Sequence, residues 1–177
     1  LGRLMADLVD ASKVTSGNIA VNMEVINLGE LVKQAGGEVE SRLEERGIQM
    51  ICSLPETPVF VYADGRHMWR VLDNLFGNAA KYALDGTRVY VDLTVIGQDV
   101  LLSVKNISRD ALNIRPEELM ERFVRGDASR NTEGSGLGLS IARSLMELQQ
   151  GTMNIQIDGD LFKVVLGLRL TDPPAAP

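Results

Sequence analysis

The sequence predicts an α+β protein, a two-layer α/β sandwich whose mixed, mostly antiparallel sheet is covered on one face by helices. Two kinds of pattern carry this reading. Residues 88–108, "RVYVDLTVIGQDVLLSVKNIS", and 151–170, "GTMNIQIDGDLFKVVLGLRL", are β-rich runs that fold back near Gly97 and at Asp158-Gly159-Asp160, as hairpins do. Around them lie segments with apolar residues every three or four positions, as in amphipathic helices.

The elements follow in order. Leu1, Leu4, Met5 and Leu8 fall at helical spacing, so residues 1–16 read as the last turns of a helix. "MEVINLGELV" reads as a short strand running into a helix that reaches about residue 46 and stops at Gly47. "GIQMICSLP" and "PVFVYAD" are short strands, and Asp64 is a good N-cap for a helix over about residues 65–84. "DGT" at 85–87 is a turn before the first hairpin. Residues 108–133 carry charges, Pro116 and little strand signal, and read as a long loop with a short helix in it. "EGSGLGLSIARSL", residues 133–145, opens a helix to about Gln150, and the second hairpin closes the domain, 17–171. The tail at 172–177 reads as disordered.

Bulk properties exclude several classes. With 24 acidic and 18 basic residues among 177, the net charge is −6, against the basic field of a nucleic-acid binder. One cysteine, Cys52, rules out an internal disulfide, and its apolar neighbours predict a buried small hydrophobe. No apolar run is long enough to span a membrane. The chain starts at Leu1 in mid-pattern and reads as part of a longer protein.

Three features carry chemistry. In "DNLFGNAAKYA", residues 73–83, Asn74, Asn78 and Lys81 lie on the side of a helix opposite Met68, Leu72, Leu75 and Ala79, with Tyr82 at the flank. Amide oxygens suit a hard divalent cation and a lysine suits a phosphate, but an ordinary solvated face presents the same stripe. In the long loop, "ERFVRGDASR" sets Arg122, Arg125 and Arg130 around Phe123, either a solvated charged loop or a lid that closes on phosphate. Finally, Gly134, Gly136 and Gly138 alternate with Ser135 and Leu137 at a helix start. Free N–H groups and the positive end of the helix dipole favour an anion there.

In this order the features resemble the ATP-binding catalytic domain of two-component sensor histidine kinases, in the superfamily that includes gyrase, Hsp90 and MutL. "NLFGNAAKYA" resembles that family's asparagine motif, "ERFVRGD" its phenylalanine motif and "GSGLGLSIA" its second glycine motif. The resemblance implies a Bergerat ATP-binding fold, with ATP and Mg²⁺ as ligands. It implies that Asn78 holds Mg²⁺ with Asn74 beside it, that Lys81 contacts phosphate, and that Tyr82 packs on the nucleotide. Arg125 would reach the γ-phosphate, and the backbone of Gly134, Ser135, Gly136, Leu137 and Gly138 would cradle the phosphates. Arg125 and Lys81 would be the catalytic pair.

One motif departs from the pattern. Where an adenine-binding Asp and two glycines are expected, the chain has Asn106, Ser108 and Asp110. Asn106 and Ser108 would still line the site, with a neutral amide facing adenine. A degenerate, weakly binding regulatory module of the same fold is the alternative. The resemblance places the phosphoacceptor histidine on a helical hairpin upstream, whose C-terminal end is residues 1–16. The only histidine here, His67, reads as a surface or site-rim residue. The implied partners are that hairpin and, indirectly, a response regulator, with no nucleic acid. The whole protein would be a membrane-anchored homodimer with this domain in the cytoplasm, and residues 1–177 alone a monomer.

Overall fold

A computed structural model of the chain describes residues 19–112, 115–118 and 138–175. The elements are β1 (Glu24–Asn27), α1 (Leu28–Glu44), β2 (Gln49–Ser53), β3 (Phe60–Ala63), α2 (Gly65–Tyr82), β4 (Arg88–Ile96), β5 (Asp99–Ile107), α3 (Gly138–Leu148), β6 (Thr152–Asp158) and β7 (Leu161–Arg169). Residues 116–118 are helical, within the segment read as a loop. The expected helix in residues 1–16 lies outside the described residues.

Five strands form one sheet in the order β2-β4-β5-β7-β6. Only β2 and β4 run parallel; the β4–β5, β5–β7 and β6–β7 pairs are antiparallel. The mixed two-layer architecture expected from the sequence is therefore present. Both hairpins turn where the glycines predicted, and Gly97 takes a φ of 62°, a left-handed conformation open to glycine at little cost. Along β5, Val100, Leu102, Val104 and Asn106 are buried while the residues between them are half-exposed. Val89, Val91 and Leu93 of β4 and Phe162, Val164, Leu166 and Leu168 of β7 join the same core. The period-2 pattern thus puts one face of the sheet under the helices.

β1 and β3 form a separate antiparallel pair, Glu24↔Ala63 to Asn27↔Phe60. On its other side β3 meets the chain leaving β7, through a Val61↔Leu170 bridge and a 2.9 Å bond from Thr171 N to Phe60 O. Asn27 caps α1 by accepting from Glu30 N at 3.2 Å. The helix closes at Gly47, whose φ of 67° is the left-handed C-terminal stop the sequence predicted.

Three expectations need correction. α2 ends at Tyr82, not near residue 84, because Ala83 is extended and bridges Ser108. Asn74 does not lie on an open face of that helix. It is only 5% exposed, and Val71, Phe76 and Ala80 are buried as well as the predicted stripe. α2 packs against α1 and α3 as well as the sheet, so burial extends around most of its circumference. Cys52 is exposed rather than buried, on a strand at the edge of the sheet. Partial desolvation, with the carboxylates of Glu40 and Asp92, still pushes its thiol pKa up.

Candidate functional site

The C-terminal half of α2 carries Asn78, Lys81 and Tyr82, all half-exposed beside the buried Asn74. The end of this helix is stitched to the end of β5. Leu84 N donates to Ile107 O at 2.8 Å, Arg109 N donates to Tyr82 O at 2.7 Å, and Ala83 bridges Ser108. These contacts bring the lysine-tyrosine end of the asparagine helix to the strand end that carries Asn106 and Ser108.

Asn106 pairs with Val89 on one side and Phe162 on the other, and is 4% exposed. It continues the buried row of Val100, Leu102 and Val104, so an amide stands where an apolar side chain would otherwise face the helices. A polar group at a core position costs free energy unless something satisfies it. Ser108, 7% exposed, accepts from Asp110 N at 3.2 Å through its Oγ, and its own N–H donates to Asp160 O at 2.7 Å. The hydroxyl thus shapes the turn that follows the strand.

Gly138 opens α3, and its carbonyl accepts from Asn74 Nδ2 at 3.2 Å. A Cβ at Gly138 would stand 3.8 Å from Asn74 Cβ and Cγ. Asn74 therefore ties the start of the glycine-led helix to α2. Of the sequence-predicted site residues, Asn74 and Gly138 meet across the α2–α3 boundary, Asn78, Lys81 and Tyr82 follow Asn74 along α2, and the β5 stitch joins the end of that helix to the strand end with Asn106 and Ser108. Arg122, Phe123, Arg125, Arg130, Gly134, Ser135, Gly136 and Leu137 lie outside the described residues.

The other end of α2 is also elaborated. Asp64 Oδ1 accepts from Arg66 N at 2.9 Å and His67 N at 3.0 Å, the N-cap predicted by the sequence. Its Oδ2 accepts from Asn22 N at 2.7 Å. Burial opposes the charge, but these backbone donors and nearby His67 outweigh it and hold the carboxyl below its usual range. His67 Nε2 donates to Ala20 O at 2.6 Å, so the histidine fastens the chain that leads into β1. Gln149, 2% exposed, accepts from Asp64 N at 2.8 Å and donates to Leu145 O at 2.9 Å, which joins this corner to the end of α3. Sequence reading found Asp64 but not Gln149, whose helix-end position carries no signal of a buried role.

A family model described as histidine kinase-, DNA gyrase B- and HSP90-like ATPase matches residues 63–171, from the end of β3 through β7. The chain belongs to this family. The sensor protein KdpD of Escherichia coli is 30% identical over 167 residues, 93% of this chain and 18% of that protein. The histidine-protein kinase/phosphatase MprB of Mycolicibacterium vanbaalenii is 35% identical over 159 residues, 88% of this chain and 31% of that protein. The chain therefore spans less than a third of either relative. The histidine kinase AdeS of Acinetobacter baumannii has the same fold, with a TM-score of 0.76 and 22% identity over 97% of this chain and 79% of that one.

No group of three His, Cys, Asp or Glu that could cage a metal occurs among the described residues. Asn78 offers a single neutral amide oxygen. An amide oxygen can take one position around a hard divalent cation whose other ligands are phosphate and water. Among the described residues, no helix is long and apolar enough to cross a membrane.

Proposed function

We propose that this chain is the ATP-binding catalytic domain of a sensor histidine kinase. It binds Mg-ATP and transfers the γ-phosphoryl group to a histidine on a helical hairpin, for two-component signalling. The observation that carries this reading is the stitch between α2 and β5, which sets the asparagine helix beside a strand end bearing a buried amide. Family membership and a relative named as a histidine-protein kinase/phosphatase support it.

Each residue then has a physical task. Asn106 meets the adenine edge with a neutral acceptor and donor. Tyr82 covers the base. Lys81 supplies a point charge to the phosphates, and the backbone of the glycine motif, residues 134–138, would supply N–H dipoles. Asn78 holds Mg²⁺, which when bound offsets phosphate charge. Arg125 reaches the γ-phosphate, so that positioning and charge stabilisation do most of the work. The whole protein would act as a homodimer at a membrane, with this domain in the cytoplasm and a response regulator downstream.

A second reading rests on one motif. Asn106, Ser108 and Asp110 replace the acid and glycines of the family pattern, which favours a domain that binds nucleotide weakly and regulates a partner. Calorimetric titration with ATP, with and without Mg²⁺, on wild type and Asn78→Ala separates the readings. The kinase reading expects Mg²⁺-dependent binding that weakens about 10–100-fold in the variant with an unchanged Tm. Affinity indifferent to both the ion and the substitution would make Asn78 an ordinary half-exposed residue and overturn its assignment.

A further inference from the structure

We propose that Arg46 is a positioning residue for the nucleotide site, acting through the last turn of α2. The proposal rests on the reading of that turn as part of the site. Arg46 follows α1, beside the left-handed Gly47, far in sequence from any motif. Its side chain is 22% exposed and reaches across to the C-terminal end of α2. There Nη1 donates to Ala80 O and, at 3.3 Å, to Lys81 O, while Nη2 donates to Ala83 O. Nε donates to Asp85 Oδ1 at 2.6 Å, and Gly86 N returns a 3.1 Å bond to Arg46 O.

The arrangement answers a specific physical need. The last four carbonyls of a helix have no partner within it, and they form the negative end of its dipole. One planar cation satisfies carbonyls on both sides of Tyr82, while Tyr82 O itself accepts from Arg109. The guanidinium therefore holds the helix end from the α1 side, and β5 holds it from the other. Between the two grips stand Lys81 and Tyr82, with Asn78 one turn earlier. The direction in which those side chains leave the helix is set by backbone that Arg46 fixes. A lysine could not do this, because an ammonium lacks the flat fork that spans several carbonyls and a carboxylate.

A plain structural clamp would cost stability and nothing else, so the test must read coupling to Lys81. ATP affinity is measured by calorimetry, well below each variant's Tm, for wild type, Arg46→Ala, Lys81→Met and the double variant. Arg46→Ala is expected to weaken binding about 10-fold alone but less than about 3-fold on the Lys81→Met background, since groups acting as a unit do not add. Arg46→Lys, which keeps the charge and serves if Arg46→Ala does not fold, is expected to recover less than half of the loss in log affinity. Equal losses in the two backgrounds, or full recovery by lysine, overturn the positioning role. Unchanged ATP affinity in a folded Arg46→Ala overturns it too and leaves the nucleotide reading standing. A wild type that does not bind ATP overturns both.

Discussion

The two ends of α2 are closed by opposite charges. At the N-terminal end the Asp64 carboxylate gathers backbone N–H groups, and at the C-terminal end the Arg46 guanidinium gathers backbone carbonyls. Each charge complements the helix dipole at its own end. Their further partners differ. Asp64 reaches the incoming chain at Asn22 and, through Gln149, the end of α3, all of it framework. Arg46 and the β5 stitch reach the turn that presents Lys81 and Tyr82. The same helix is thus anchored to framework at one end and, on the function proposed above, beside the ligand at the other.

That division can be broken most sharply beyond the C-terminal end. If this end binds nucleotide while the lid arginine acts on the transferred group, Arg125→Ala should leave ADP affinity nearly unchanged. Phosphoryl transfer to a supplied acceptor hairpin should fall on the order of 10³-fold, as for other arginines that stabilise this transition state. Equal losses in ADP affinity and in rate would make Arg125 a general binding residue.

Next in size is the framework end. Asp64→Ala removes an N-cap and strands Asn22 N–H, and should cost about 2–3 kcal/mol of stability in urea unfolding. ATP affinity of the folded variant should not change. The pH dependence has a definite sign. Asp64 has a lower pKa in the fold than in the unfolded chain, so its contribution is full above the unfolded value and lost as pH falls through the folded one. The stability gap between wild type and Asp64→Ala should therefore be widest at neutral pH and shrink below about pH 4. A gap that widens on acidification would mean that the capping form is the protonated acid.

The smallest expected effect concerns the strand end stitched to the C-terminal anchor. Asn106→Ala should weaken ATP binding by about 1–2 kcal/mol through an unpaired base edge, and Asn106→Asp should keep or tighten it. Isothermal titration of both variants checks this. ATP bound as well by Asn106→Ala as by wild type would place the adenine anchor elsewhere, with Asp110 the next residue to test.

Much of this comparison was legible in the residues. Asp64 before an apolar helical run announces a cap, and glycines at 47, 97 and 159 mark turns, because caps and turns are local chemistry. Both hairpins follow from alternation and turn residues alone. What stayed hidden was set by distant partners. "EERGI" reads as a solvated helix end, and nothing in it says that Arg46 crosses to carbonyls 34 to 37 residues away. Asn74 sits on the polar side of a helical wheel, yet α3 packs over it. Cys52 has apolar neighbours, but whether they sit inside depends on β2 being an edge strand.

The miniature sheet at β3 has a modular consequence. β1 lies on one side of β3, and the chain leaving β7 on the other. Ile26 and Leu170 face Val61 from opposite sides, about two strand spacings or roughly 10 Å apart. Both neighbours run antiparallel to β3, so the chain arrives at Glu24 at one end of this ribbon and departs after Leu170 toward the other. Both junctions are thus clasped by one central strand, and a link between them has to run back along β3. Circular permutation that joins these junctions through a flexible bridge long enough to run back along β3, with new ends at the Gly97 or Gly159 turn, should leave both the sheet order and the α2 anchors intact.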